Sequence, residues 1–111
     1  MIDFNTVREI DAAEFISLLE INPKDYLLID VREKDERDIC TLNGIHIPVG
    51  EINNRLNEIP RDRKIIFHCK SGKRGEMVIL FLQQNHKFEN LYNLKGGINA
   101  MAEIHPNIEI Y

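Results

Sequence analysis

Five short apolar runs, separated by amphipathic or charged stretches, set the pattern of this chain. Thr6-Val7-Arg8-Glu9-Ile10 reads as a short first strand. Asp11, three residues before Glu14, forms a capping-box-like pair ahead of Phe15, Ile16, Leu18 and Leu19, which predicts a helix over 12–20 stopped by Asn22-Pro23. Tyr26-Leu27-Leu28-Ile29-Asp30-Val31 is continuously apolar rather than alternating, as expected of a strand covered on both faces in a parallel sheet. Lys34 to Asp38 is a charged surface turn or short helix, and Ile45-His46-Ile47-Pro48 a short strand closed by proline. Ile52, Leu56 and Ile59 share one face of a short helix over 51–58. Ile65 to His68 is the next buried strand, and a helix apolar nearly all round, hence central, is predicted over 74–86. Leu91 to Leu94 is the last strand, Gly96-Gly97 a tight turn, and 98–103 a final helix before an irregular tail from Pro106. Short strands alternating with helices predict an α/β fold, with a mostly parallel five-stranded central sheet carrying helices on both faces.

A length of 111 residues has room for one modest core, so residues 1–111 are expected to form a single domain. The longest apolar run, Met77 to Leu82, is far short of the ~20 residues that span a bilayer. The first residues carry acids and no apolar core, which predicts no signal peptide and a cytoplasmic protein without a membrane partner. A net charge of −4 gives no electrostatic reason to bind nucleic acid. Against that background Arg63, Lys64, Lys70, Lys73 and Arg74 are a local reversal of sign. The two cysteines, Cys40 and Cys69, form no CxxC, and the four histidines are scattered, so neither a disulfide framework nor a metal site is expected. Cys40, between Ile39 and Leu42, reads as a structural residue in apolar surroundings. No cofactor motif is present.

Cys69 stands elsewhere: at the end of a buried strand, ahead of Lys70-Ser71-Gly72-Lys73-Arg74-Gly75 and the start of a helix. Gly72 lets the backbone turn several N–H groups inward, the helix start aims its unpaired N–H groups at the same point, and the cations add charge. No apolar core would hold two lysines and an arginine so close behind a cysteine. The setting favours a thiolate nucleophile and an anionic substrate. Asp30 and Arg32, at the carboxyl end of their strand, lie where α/β sheets place function, or else simply pair with each other or cap the next helix.

Cys69-Lys70-Ser71-Gly72-Lys73-Arg74 resembles the Cys-x-x-Gly-x-Arg active loop of single-domain rhodanese sulfurtransferases. Leu28-Ile29-Asp30-Val31-Arg32-Glu33 is similar to that family's Asp-Val-Arg strand end, and Leu94-Lys95-Gly96-Gly97-Ile98 to its Gly-Gly turn, in the family's order. The resemblance implies a rhodanese-like fold and a sulfurtransferase. Cys69 would take the outer sulfur of a small anionic donor such as thiosulfate and pass it, as a persulfide, to a thiophilic acceptor. Amides from Lys70 to Gly75 would stabilise the persulfide, Lys73 and Arg74 would bind the donor's sulfonate, and Asp30 and Arg32 would support the loop. The segments 37–42, 47–52 and 94–100 are similar to the rhodanese domain fused behind molybdopterin and thiamine adenylyltransferases, implying a protein sulfur donor or acceptor. No adenylyltransferase portion is present; whether the domain stands alone or was cut from something longer stays open, with Met1 favouring the former. Three features depart from the family: Gly75 where serine is common, Met101 where tryptophan is usual, and Asn43-Gly44-Ile45-His46-Ile47-Pro48 where Gly-His-Ile-Pro-Gly-Ala is common.

Two rivals follow from the same residues. His68-Cys69 followed by an arginine is similar to the loop of dual-specificity phosphatases and arsenate reductases, but four residues, not five, separate Cys69 from Arg74. The shorter loop makes a smaller cradle, suited to sulfur rather than to a tetrahedral phosphate. The other rival is a sulfur-carrier or partner-binding module with little turnover.

Overall fold

The computed structural model describes residues 2–21, 25–39, 42 and 44–104. Asn22-Pro23, Cys40, Asn43 and the tail from Pro106 lie outside the described residues, and with them the helix stop read at Asn22-Pro23 and the structural role read for Cys40.

The elements run β1 (Glu9–Ile10), α1 (Ala12–Ile21), β2 (Tyr26–Asp30), α2 (Lys34–Ile39), β3 (Ile45–His46), β4 (Lys64–His68), α3 (Lys73–His86), β5 (Leu91–Leu94) and α4 (Gly97–Ile104). All pairings are parallel, in the order β1-β5-β4-β2-β3. The α/β expectation of a mostly parallel five-stranded sheet with helices on both faces is met, with every strand parallel. The first strand is shorter than expected. Only Glu9 and Ile10 pair with β5, at Asn93 and Leu94.

Alternation along the strands sorts the core into two layers. Ile29 of β2 and Val31 just beyond its end, Ile65 and Phe67 of β4 and Leu91 of β5 face Val78, Ile79 and Leu82 of α3. Leu28, Ile66 and Leu94 face the other way, onto Ala12 and Phe15 of α1 and Met101 of α4. Asp11 caps α1 as its spacing predicts, accepting the Glu14 N–H at 2.8 Å. Met101 is fully buried, so its departure from the family pattern is a matter of seating α4 on the sheet.

Two expectations are corrected. The stretch read as a helix over 51–58 is two 3-10 segments, Val49–Asn54 and Leu56–Glu58. Gly50, Asn53 and Asn54 are poor helix formers, while Ile52 and Ile59 bury as the spacing requires. Helix α3 is not central. It covers one sheet face with Val78, Ile79 and Leu82 and leaves Met77 64% and Phe81 37% exposed. An apolar sequence all round a helix marks burial only when something covers both sides.

Candidate active site

Strand β4 delivers Cys69 to the carboxyl edge of the sheet, between β2 and β5. The thiol is 1% exposed and lies on the α3 side, while its neighbour His68 lies on the other face beside Asp30, as strand alternation demands. The chain then turns through Lys70, Ser71 and Gly72 into α3. Gly72 has φ +102°, a conformation that favours glycine, and no side chain caps the helix it starts. The Gly72 N–H donates to Cys69 Sγ at 3.0 Å. Lys70, Ser71 and Lys73 are exposed around the buried sulfur.

The loop is held from outside by its carbonyls. Ile98 N–H donates to the Cys69 carbonyl at 2.9 Å and Asn99 N–H to the Lys70 carbonyl at 3.1 Å, both from the first turn of α4. In a trans peptide the following N–H points opposite to the carbonyl, and among the described residues there are no cis bonds. Anchoring these carbonyls on α4 therefore turns the Lys70 and Ser71 amides away from α4, towards the side where the sulfur lies. Gly97 makes the approach close enough: a Cβ there would lie 2.4 Å from the Cys69 oxygen and 2.6 Å from the Lys70 carbonyl. Gly97 also has φ +61°, so the Gly-Gly turn is needed twice over.

Arg74 does not stand open in the cradle. Its guanidinium makes a two-pronged pair with Glu36 of α2, at 2.5 and 2.7 Å, both side chains about one-third exposed (34% and 28%). The bonds from Arg74 hold the Glu36 carboxyl down at about 2, against a smaller opposing push from burial. Glu36 also accepts the Glu33 N–H at 3.1 Å, the return half of a capping box at the start of α2. The pair thus ties the rim of the loop to α2.

Asp30 and Arg32 are buried (0% and 2% exposed) and pair with each other, as the plainer reading of that strand end expects. Asp30 accepts the Arg32 N–H, Nε and Nη2 at 2.9, 3.0 and 2.9 Å, with Arg37 Nη1 at 3.4 Å. Burial pushes the Asp30 carboxyl up, but the bonds from Arg32 and the nearby His68 outweigh it and hold it below its ordinary value. Arg32 reaches the Glu36 carbonyl at 3.4 Å, so its link to the loop runs through α2 and Arg74. His46 Nε2 donates to the Arg32 carbonyl at 2.7 Å. Burial pushes His68 down to about 4, against the pull of Asp30, so it is neutral at pH 7.

Gly75 is buried in α3, and a Cβ on it would lie 2.3 Å from Asn93 Oδ1. A side chain at 75 would therefore point at β5 before it could line the cradle. Sequence reasoning missed Glu36, Asn93 and the α4 amides. The legible signals were an acid at the third helical position after Glu33 and a lone polar residue inside Leu91-Tyr92-Asn93-Leu94. An apolar groove of about 290 Å³, lined by Val49, Ile52, Asn53, Met77, Val78 and Phe81, lies along α3 and does not include Cys69.

A parallel sheet with an uncapped helix start behind a strand-end cysteine defines a class, and comparison with known proteins identifies it. The model of the rhodanese-like domain matches residues 11–103, and the chain belongs to that family. It is 34% identical over 97 residues to a sulfurtransferase of Allochromatium vinosum, covering 86% of this chain and 89% of that one. It is also 34% identical over 88 residues to a probable adenylyltransferase/sulfurtransferase of Mycobacterium tuberculosis, covering 76% of this chain but only 22% of that protein. Among solved structures, a rhodanese-related protein of Thermoplasma volcanium superposes with a TM-score of 0.76 at 30% identity, over 88% of this chain and 93% of the other.

Proposed function

We propose that this chain is a single-domain sulfurtransferase that carries a sulfane sulfur on Cys69. The observation that supports it most is Cys69 Sγ sitting under the Gly72 N–H, at the uncapped start of α3 and ringed by exposed Lys70, Ser71 and Lys73. A sulfurtransferase relative covering most of both chains adds support.

In this reading Cys69 Sγ, having lost its proton to solvent, attacks the outer sulfur of a donor such as thiosulfate. A new S–S bond forms to Sγ, the old S–S bond breaks, and sulfite leaves with its electron pair. Amides of the loop from Lys70 to Gly75 stabilise the negative charge on the terminal sulfur, as an oxyanion hole does for oxygen. Because Glu36 engages the Arg74 guanidinium, the donor's anionic end falls to Lys70 and Lys73, with Arg74 contributing backbone N–H and holding the rim. A thiophilic acceptor, cyanide in an assay or a protein thiol, then takes the terminal sulfur and restores Cys69. Asp30 and Arg32 brace the strand end and α2 rather than touch the reacting atoms. The fused arrangement of the mycobacterial relative supports a protein partner as donor or acceptor.

Incubation with thiosulfate followed by intact-mass measurement tests this. The expected result is a gain of one sulfur atom on Cys69 and thiocyanate production with cyanide, both lost in Cys69→Ser. Absence of any gain, with Cys69→Ser indistinguishable from the parent, overturns it. Hydrolysis of an aryl phosphate, abolished by Cys69→Ser, would replace it with the phosphatase reading.

A further inference from the structure

Asn93 lies in the middle of β5, opposite Phe67 of β4, and is 1% exposed. A buried amide in an apolar strand is costly unless its hydrogen bonds are made. Its Nδ2 donates to the Gly72 carbonyl at 3.0 Å. The partner is a carbonyl, which can only accept, so the amide orientation is fixed with Oδ1 towards Gly75. Among the described residues Oδ1 has no hydrogen-bond partner, and it fills the place a side chain at 75 would need.

The Gly72 carbonyl is the hinge of the cradle. It accepts one intrahelical bond, from Glu76 N–H at 3.1 Å, and the residue carrying it sits at φ +102°. A glycine at a helix start held by one such bond is free to fray. With the carbonyl drawn inward by Asn93, the peptide plane must point the Lys73 N–H outward, ahead of α3. On the other side of the same residue, the Gly72 N–H of the preceding peptide is the one that donates to Cys69 Sγ.

We propose that Asn93 is a positioning residue for the sulfur cradle, holding Gly72 through its carbonyl so that the Gly72 N–H on one side stays on Cys69 Sγ and the Lys73 N–H on the other points ahead of α3, and that Gly75 is glycine to let the Asn93 amide reach. This deepens the sulfur-transfer reading and rests on it for its catalytic consequences. It also explains the family departure at Gly75: the missing side chain leaves room for Asn93 Oδ1.

The test uses the full chain with Asn93→Ala, Gly75→Ala and the double variant. Misplacing a reacting group by about 1 Å costs roughly 100-fold, so a tenfold to hundredfold fall in kcat with thiosulfate and cyanide is expected. KM should change by much less, and the mass-detected persulfide should discharge faster. The rate of Cys69 alkylation by iodoacetamide at one fixed pH should differ several-fold from the parent in both single variants, because the sulfur loses its held N–H partner. Because both act on one peptide, the double variant should be no worse than the poorer single. Unchanged kcat and alkylation rate in folded Asn93→Ala, or multiplying effects in the double variant, overturn the proposal. If the variants do not fold, the parent decides: the Asn93 side-chain amide protons should be protected from solvent exchange, and rapid exchange overturns it. Alkylation and exchange need no sulfur donor. A parent that takes up no sulfur therefore refutes the sulfur-transfer reading while leaving Asn93 still tested.

Discussion

Replacing Gly97 by alanine is the sharpest probe of how the cradle is built. The added Cβ would lie 2.4 Å from the Cys69 oxygen and 2.6 Å from both the carbon and the oxygen of the Lys70 carbonyl, all backbone atoms that no rotamer change can move. Ordinary contact needs close to an ångström more, so α4 must lift from the loop. Three costs combine. The left-handed conformation at φ +61° costs alanine about 1–2 kcal/mol. The overlap costs about 1–3 kcal/mol in a packed setting. Lifting α4 stretches the bonds from Ile98 and Asn99, each worth about 0.5–1.5 kcal/mol. A total of about 3–8 kcal/mol is expected, which at about 4–8 °C per kcal/mol for a domain of this size is a fall in Tm of at least roughly 12 °C. Circular-dichroism melts read the stability, and the thiocyanate assay at a temperature where the variant is folded reads the site, where a loss of roughly 100-fold is expected. Gly50→Ala is the control, since nothing lies within 4 Å of its would-be Cβ. If Gly97→Ala melts within a few degrees of the parent and transfers sulfur normally, the clamping of the loop by α4 is wrong.

Further expectations follow from other contacts. A double-mutant cycle on Glu36→Gln and Arg74→Gln should give a coupling of about 1 kcal/mol in urea unfolding, because the pair is two-pronged but partly exposed, and the coupling should shrink in high salt. His68 binds its proton less readily folded, at about 4, than unfolded at 6.5, so the unfolded state takes up the proton first. Stability should therefore fall as pH drops from 6.5 towards 4, by up to roughly 3 kcal/mol, with no contribution above pH 7, and His68→Gln should flatten that slope in guanidinium unfolding curves measured across pH. Asp30 and Glu36, both held low, add a further loss below their ordinary carboxylate values, so the acid arm should not vanish entirely in the variant. Ile79→Ala, at a fully buried position of α3, should cost about 2–5 kcal/mol, whereas Met77→Lys, 64% exposed two residues away, should stay within about 0.5 kcal/mol; comparable losses would refute the assignment of the helix's faces.

The sheet was legible because a parallel strand covered on both sides must be apolar throughout, and Tyr26 to Ile29 and Ile65 to Phe67 could be little else. The Cys69 loop was legible because its chemistry is local: a strand end, a glycine and a helix start in one run. What the sequence hid is what comes from afar. Glu36 lies 38 positions before Arg74, Asn93 lies 21 after Gly72, and no local pattern announces that each will meet its partner. Gly97 was recognisable as part of a turn, but its contact with the Cys69 carbonyl exists only after α4 docks. Helix α3 misled for a related reason. Met77 and Phe81 look like core residues by type, and only the absence of a second layer above them, among the described residues, leaves them outside.

The dependence of the loop on α4 has a consequence for the order in which the molecule becomes competent. The carbonyls of Cys69 and Lys70 are fastened by Ile98 and Asn99, and the peptide after Gly72 by Asn93, all made later in synthesis. A nascent chain that contains Cys69 but not yet those residues lacks the contacts that hold the loop in its folded form. The loop takes its shape only as β5 and α4 arrive, so the strand-end cysteine and the turn after it are completed last, by the end of the chain that is made last.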